Sequence, residues 1–406
     1  MVNATTEKQN KLYIGSCKAE DLVTKYGSPL YVYNAEVMLD RLESLRKHIT
    51  YSKLDIHFAC KANSNLEIVK LLRKAGAYIE TVSPGEIVIA QKAGYQANEI
   101  IFTSSNISQS ELDWLIKQNV TVNLDSLTQL KRWGERKPNS TISIRLNQGI
   151  GAGHHEKNIT GGPDSKFGID LEQLPEVVKL VEKYGLTITN IHQHIGSGIL
   201  DEKIFMQAVE KLLETAMQFK DLEYLDFGGG FGVPYKESEK HIDMESLGKK
   251  IGNRLHTFMK EYGRELTVRF EPGRYLVAES GILLVTVTDI KKTQHKTFIG
   301  TDSGFNHLVR PMMYDSYHQI INATRVNGPQ EIVTVAGNIC ESGDLFATER
   351  KMTKCEEDDI LAILTTGAYG YSMASMFSSR VIPKEILIEG AKSRVIRKER
   401  QVEDIL

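Results

Sequence analysis

Eight times between residues 54 and 272, a short run of β-branched and apolar residues is followed by a glycine-rich turn or an amphipathic stretch. The runs are LDIHFAC (54–60), AYIETV (77–82), IIFTS (100–104), VTVNL (120–124), TISIRL (141–146), ITNIHQHI (188–195), LEYLDF (222–227) and TVRFEP (267–272). The intervening stretches have helical period. NLEIVKLLRKAG (65–76) is apolar at 66, 68, 69, 71 and 72, and KIFMQAVEKLLETAMQF (203–219) at 204, 205, 208, 209, 212 and 213. Recurrence near i, i+3 and i+4 marks a helix that buries one face. Gly76, Gly94, Gly185 and Gly263 stand where such helices would end. Alternating strand and helix implies parallel strands joined by crossover helices. Eight such units close a (β/α)8 TIM barrel of roughly 250 residues. A doubly wound open sheet would show the same alternation. The placement of the polar residues favours the barrel, because Lys61, Glu80, the His192/His194 pair, Gly228–Gly230 and Glu271 all fall at or just past the C-terminal ends of predicted strands. Barrel enzymes assemble their sites on that rim.

After Arg274 the pattern changes to strand-like runs with scarcely any helical period, among them GILLVTVTDIKK, QEIVTVAGNIC and EILIEG. The expected organisation is therefore a barrel over 35–275 followed by an all-β sandwich domain built from 276–406 and from residues 1–34, whose PLYVYN (29–34) supplies a strand. Lys+Arg 50 against Asp+Glu 52 gives no positive field for nucleic acid or anionic lipid. No run approaches the ~18 apolar residues of a membrane span, and the first residues carry no secretory h-region. Four cysteines without a CxxC give neither a disulfide framework nor a zinc signature. These features predict a cytoplasmic chain that binds no nucleic acid, membrane or metal.

Five groups of residues could carry chemistry. Lys61 ends the apolar strand HFACK, where partial desolvation favours the neutral amine a Schiff base needs, although a lone strand-end lysine more often faces water. DFGGGFG (226–232) follows the seventh strand, and its glycines let backbone N–H groups close on an anion. In barrels, phosphate sites favour the loops after strands seven and eight. EPGR (271–274) combines a carboxylate, Glu271, suited to a pyridine nitrogen with an arginine, Arg274, suited to a carboxylate. A structural Glu–Arg pair fits that motif equally well. HQHIGSG (192–198) places two imidazoles two residues apart, so in a strand they face the same way. In the β domain, RPMMY (310–314), CESGD (340–344) and GAYGYSMAS (367–375) bring an arginine, tyrosines and a thiol beside a carboxylate.

The order HFACKAN, HQHIGSG, DFGGGFG, EPGR, CESGD, GAYGYSMAS resembles the fold type III, alanine-racemase-like, pyridoxal-phosphate decarboxylases from about residue 12 to residue 395. Within them the chain is most similar to the branch that converts meso-2,6-diaminopimelate to L-lysine and CO2. The resemblance implies pyridoxal 5'-phosphate as cofactor and a homodimer with active sites shared between subunits. It makes Lys61 the Schiff-base lysine and stacks His194 on the ring. Ser197, Gly228, Gly229, Gly230, Gly273, Arg274 and Tyr369 would surround the phosphate, and Glu271 would face the ring nitrogen. Arg274, Arg310, Tyr314, Glu341 and Tyr369 become substrate contacts, with Cys340 of the second subunit as proton donor. Ornithine, arginine, carboxynorspermidine or a carrier-bound glutamyl group are alternative substrates on the same fold. A racemase or a non-catalytic cofactor-carrying regulator are the other readings. Two departures fall on the substrate side: Glu80 stands where relatives usually carry Asp, and the segment 147–167 is long and rich in glycine.

Overall fold

A computed structural model describes residues 1–151, 153, 161–162 and 165–405. The chain divides into two compact units, one of residues 42–233 and 240–274 and the other of residues 1–41, 234–239 and 275–406.

Eight strands of the first unit form a ring: β1 (Leu54–Ala59), β2 (Tyr78–Thr81), β3 (Ile100–Thr103), β4 (Thr121–Leu124), β5 (Thr141–Asn147), β6 (Thr187–His192), β7 (Tyr224–Asp226) and β8 (Thr267–Phe270). Each pairs in parallel with the next, and β8 returns to β1, so the ring is closed. Closure distinguishes the barrel from the open sheet that alternation alone allowed.

Local chemistry explains why the helices start and stop where they do. Asn65, Ser83, Ser108, Ser126, Asp201 and Asp243 each stand just before a helix and accept a backbone N–H from its first turn. These bonds satisfy donors that have no partner inside the helix. At the other end, Gly185 and Gly263 take the left-handed conformation that closes the last turn. The longest helix, Met244–Tyr262, buries Leu247, Ile251, Leu255 and Phe258 along one stripe.

The strands reverse the usual alternation. In β5, Ile142, Ile144 and Leu146 form one apolar face, while Ser143, Arg145 and Asn147 share the other. The polar set joins a girdle across the barrel: Asn123 Nδ2 donates to Thr103 Oγ1 at 2.8 Å, the Ser143 hydroxyl donates to Asn123 Oδ1, and Asn190 Nδ2 donates to Ser143 Oγ at 2.7 Å. Buried polar groups satisfied by one another can fill an interior without the cost of lone burial.

In the second unit the long strand Gly281–Lys292 is the hub. It pairs antiparallel with Leu30–Asn34, with Ile360–Ile363 and with Thr297–Thr301. Leu30–Asn34 pairs on its other edge, in parallel, with Lys384–Glu389. Leu12, Ile14, Leu22, Leu30, Val32, Ile282, Leu284, Ile386 and Ile388 meet in one apolar core. Three details were not in the sequence pattern. Leu345–Thr353 is a nine-residue strand whose Glu349 and Lys351 are exposed, Arg310–Tyr314 is a five-residue helix, and residues 234–239 belong to this unit. In that last segment Tyr235 packs edge-on against His318 at 5.3 Å, and the Arg310 guanidinium lies 4.9 Å from its ring centre.

Candidate active site

The C-terminal ends of the barrel strands gather the polar residues. Lys61 lies on a three-residue turn, Cys60–Ala62, directly after β1. That turn is tied to the loop after β8, because Ala59 N–H donates to the Pro272 carbonyl at 3.2 Å. Gly273 permits the approach: a Cβ there would stand 3.1 Å from the methyls of both Ala59 and Ala62. Lys61 Nζ donates to both carboxylate oxygens of Glu80 from β2, at 2.9 and 3.0 Å. Glu80 is wholly buried and Lys61 is half-buried.

At the end of β6 and just past β8, the neighbour of β1, His192 Nε2 lies 3.1 Å from Glu271 Oε2. Asp226 from β7 completes the group, and one ligand-type atom from each of the three lies within 4.8 Å of the others. Their environment fixes their protonation. Burial, and then the neighbouring charge of Glu80, pushes Glu271 up to about 8. Burial, and then Glu271, pushes Asp226 up to about 7. Burial holds His192 down at about 4. His192 is therefore neutral near pH 7 and shares a single proton with the Glu271 carboxyl across the Nε2–Oε2 contact. The second oxygen of Glu271, Oε1, is buried with no hydrogen-bond partner among the described residues.

Strand β6 ends at His192, so the same-face argument for the two histidines stops two residues short of His194. His194 lies in the following loop, and its Nδ1 accepts the Gly229 N–H at 3.0 Å. That bond leaves the proton on Nε2. Burial, and then the charges of Lys61 and Arg145, holds the ring neutral, well below the usual histidine range. The glycine turn closes on the same loop. Gly228 has φ +66° and Gly230 φ +112°. A Cβ at Gly228 would collide with the Gln193 carbonyl, and one at Gly229 with the Glu271 carbonyl. Arg274 is buried, and its Nε donates to Ser197 Oγ at 3.1 Å.

Two residues of this rim were overlooked in the sequence. Arg145 is 6% exposed and lies close enough to Glu271 and Glu80 to influence both. Asp226 sits inside the DFGGGFG motif but was given no role. Both were detectable, since each is a charge in an otherwise apolar or small-residue strand, on the polar alternate.

Arg310, Tyr314, Cys340, Glu341 and Tyr369 lie in the second unit. Arg310 is buried, with Nη2 donating to Ser316 Oγ at 3.2 Å and Nε to His318 Nε2 at 3.4 Å. Cys340 and Glu341 are exposed. Their loop is pinned by Asp344, whose carboxylate accepts the N–H groups of Ile339 at 2.8 Å and Phe305 at 2.6 Å. Tyr369 takes a left-handed backbone, φ +59°. Much of the 147–167 segment, including the histidines at 154 and 155, lies outside the described residues.

The rim fits a phosphorylated pyridine aldehyde. It offers an amine at one side, an unpartnered buried carboxyl oxygen for a ring nitrogen, and a glycine turn with no room for a Cβ beside an arginine–serine pair. Comparison with known proteins agrees. Residues 37–278 match the family described as pyridoxal-dependent decarboxylase, pyridoxal binding domain. The diaminopimelate decarboxylase of Methanothermobacter thermautotrophicus is 41% identical over 405 residues, covering 97% of this chain and 94% of that protein.

The chain belongs to the diaminopimelate decarboxylase family.

The Escherichia coli K12 diaminopimelate decarboxylase is 34% identical, with 95% of this chain and 94% of the relative covered. Among solved structures, the diaminopimelate decarboxylase of M. jannaschii in co-complex with L-lysine superposes with TM-score 0.92 at 30% identity, covering 99% and 96% of the two chains. Diaminopimelate decarboxylases thus share both the sequence and the architecture of this chain over nearly its whole length. Among the described residues no helix is long and apolar enough to cross a membrane.

Proposed function

We propose that this chain removes one carboxylate from meso-2,6-diaminopimelate, releasing CO2 and L-lysine, with pyridoxal 5'-phosphate as its cofactor. The observation that carries the reading is the buried, unpartnered Glu271 Oε1 on the same rim as the Lys61 amine, in a chain of this family.

When bound, pyridoxal phosphate supplies a ring that accepts the electron pair left at the substrate Cα as CO2 departs. The side chains do the rest. Lys61 holds the cofactor through Nζ and, being paired with Glu80, has a carboxylate beside it to take or return a proton. Ser197, Gly228–Gly230, Gly273 and Arg274 hold the phosphate with backbone and guanidinium donors, and Tyr369 adds its hydroxyl. His194 covers the ring as a neutral imidazole oriented by Gly229. Glu271 would hold a proton at the ring nitrogen, with His192 Nε2 3.1 Å from its carboxyl and Asp226 close by.

Arg274, Arg310 and Tyr314 bind the ends of the substrate, and Glu341 reads its distal ammonium. Cys340, an exposed thiol on the Asp344-anchored loop, returns a proton to Cα. In this reading Cys340 and Glu341 come from the second copy of a homodimer. The L-lysine complex of the M. jannaschii relative supports a lysine-sized ligand.

The direct test is CO2 release from meso-diaminopimelate compared with L-ornithine, with L-lysine measured as product. The proposal expects turnover of the first at least ~100-fold above the second, because a site built for a polar amino-acid end leaves buried groups unpaired with a substrate lacking it. Equal turnover, or D/L interconversion without CO2, contradicts it.

A further inference from the structure

Arg310 opens the short helix Arg310–Tyr314, and the chain then turns back on it. Asp315 takes the left-handed conformation that ends the helix, φ +48°, and the Ser316 N–H donates to the Arg310 carbonyl at 3.4 Å. The reversal brings Ser316 and His318 to the side chain of the arginine. Arg310 Nη2 donates to Ser316 Oγ at 3.2 Å, and Nε donates to His318 Nε2 at 3.4 Å. The guanidinium also lies 4.9 Å from the centre of the Tyr235 ring, which meets His318 edge-on. All four residues belong to the same compact unit.

His318 is wholly buried, and its neighbours locate the proton on its ring. A guanidinium only donates, so Nε2 accepts and carries no hydrogen. The proton is therefore on Nδ1, which donates to the Leu364 carbonyl at 2.8 Å. Both ring nitrogens thus have partners, as burial demands. The backbone of His318 is held as well, because Arg350 Nη1 donates to its carbonyl at 2.7 Å while stacking 3.8 Å from the centre of the Tyr317 ring. An imidazole fixed at its backbone and at Nδ1 presents Nε2 in one place only. That place sets the plane and the reach of the Arg310 fork. An imidazole with no proton on Nε2, a hydroxyl and an aromatic ring carry no charge, so these three partners leave the guanidinium charge uncancelled. A long side chain ordered in advance by such partners meets a carboxylate without further loss of rotamer freedom.

We propose that His318, with Ser316, is a positioning residue that aims Arg310 at the substrate carboxylate retained in L-lysine, and so sets the preference for a carboxylate-bearing end over a bare ammonium. The proposal rests on the reading above in which Arg310 contacts the substrate. It adds the residues through which that contact is made effective.

Two amide substitutions separate the roles of the ring nitrogens. In His318→Gln the amide reaches the position of Nε2 and accepts from Arg310, whereas in His318→Asn it reaches only that of Nδ1. The cofactor-loaded enzyme is titrated by calorimetry with L-lysine and with cadaverine, its counterpart lacking the carboxylate. His318→Asn should weaken L-lysine about tenfold or more, the loss of one hydrogen bond to a charged group, and leave cadaverine at the parental affinity. His318→Gln should recover most of the L-lysine affinity. Because one residue acts through the other, Arg310→Gln combined with His318→Asn should bind L-lysine no more weakly than Arg310→Gln alone. With meso-diaminopimelate, KM should rise in His318→Asn while kcat changes little, the mark of a contact made equally in the ground and transition states. Ser316→Ala should weaken L-lysine about threefold, and it carries the test should His318→Asn fail to fold. Unchanged L-lysine affinity in His318→Asn or, where that protein does not fold, in Ser316→Ala overturns the proposal. So does an equal loss for cadaverine, a loss that adds to that of Arg310→Gln, or a His318→Gln protein no better than His318→Asn. Parental L-lysine affinity in Arg310→Gln would instead remove Arg310 from the substrate site, and the proposal with it.

Discussion

Lys61 Nζ stands 2.9 and 3.0 Å from the two carboxylate oxygens of Glu80, and no part of the Glu80 side chain is accessible to solvent. The amine that would carry the cofactor is thus held by a buried negative charge before any ligand arrives. Such a neighbour favours the ammonium form, whereas attack on an aldehyde requires the free amine. Glu80→Gln removes the charge and preserves the volume. Cofactor uptake by the Glu80→Gln protein, followed by the growth of visible absorbance, should therefore reach half its maximal rate at a pH roughly one unit lower than in the parent. Glu80→Asp, which retains the charge, should keep the parental profile. Identical profiles for all three proteins would show that Glu80 does not govern the amine.

The Glu271 network makes a second prediction, for the cofactor-free protein. Glu271 and Asp226 keep their protons up to about pH 8 and 7 in the fold, but release them near 4 in an unfolded chain. Between those limits the folded state binds more protons, so its stability falls as pH rises from about 5 through 8. His192 acts in the opposite sense. It is neutral in the fold down to about 4, so it costs stability as pH falls below its unfolded value near 6.5. Calorimetry of the cofactor-free protein should show Tm declining between about pH 6.5 and 8, above the range in which His192 and the other buried histidines, His57, His194 and His307, act in the opposite sense. Glu271→Gln should flatten that decline and leave the acid-side loss in place. An unchanged alkaline slope in the variant would remove Glu271 from the account.

Most of the barrel was legible because its signal is periodic. Each strand is short, most barrel helices have a polar cap, and Ser83, Ser108, Ser126 and Asp243 mark helix starts by their chemistry alone. The residues after the strands were legible because barrel sites form there. Arg145 and Asp226 were missed because a sequence reader expects strands of a soluble domain to point their apolar alternates inward. Here the apolar face meets the helices and the polar alternates fill the barrel. The β unit was harder to read. Leu345–Thr353 hides its strand character behind exposed charges, and residues 234–239 belong to a unit remote in sequence, which no local pattern encodes.

The glycine turn yields a third prediction. Gly228 has φ +66°, and a methyl group there meets the Gln193 carbonyl and His194. Gly228→Ala carries both a left-handed backbone and a steric clash, so it should lower stability by about 2 kcal/mol or more. The same shift displaces the N–H groups and the imidazole that would contact the phosphate and ring. Affinity for pyridoxal phosphate, measured by fluorescence titration of the cofactor-free protein, should fall at least tenfold, the equivalent of one lost bond. A variant with parental Tm and affinity would exclude the turn from cofactor binding.

The last prediction concerns the exposed loop of Cys340. If its thiol supplies the proton to Cα, Cys340→Ala should lower kcat by roughly 10²–10⁴, the usual range for loss of a general acid. The lesion should be separable from that of Lys61→Ala. In a two-fold dimer with sites built from both subunits, mixing the two inactive proteins after dissociation gives random pairs. Half of the dimers then carry one variant of each kind and one intact site, so about a quarter of the parental activity should return. Recovery would require the thiol and the amine to come from different chains. Activity that stays at the level of the single variants, in a mixture shown to contain mixed dimers, would instead put both groups in one subunit. Asp344→Ala refines the test, because it removes the acceptor for the Ile339 and Phe305 amides without touching the thiol. It should depress kcat in the same direction as Cys340→Ala while KM for the substrate changes less, as expected of a residue that positions the proton donor.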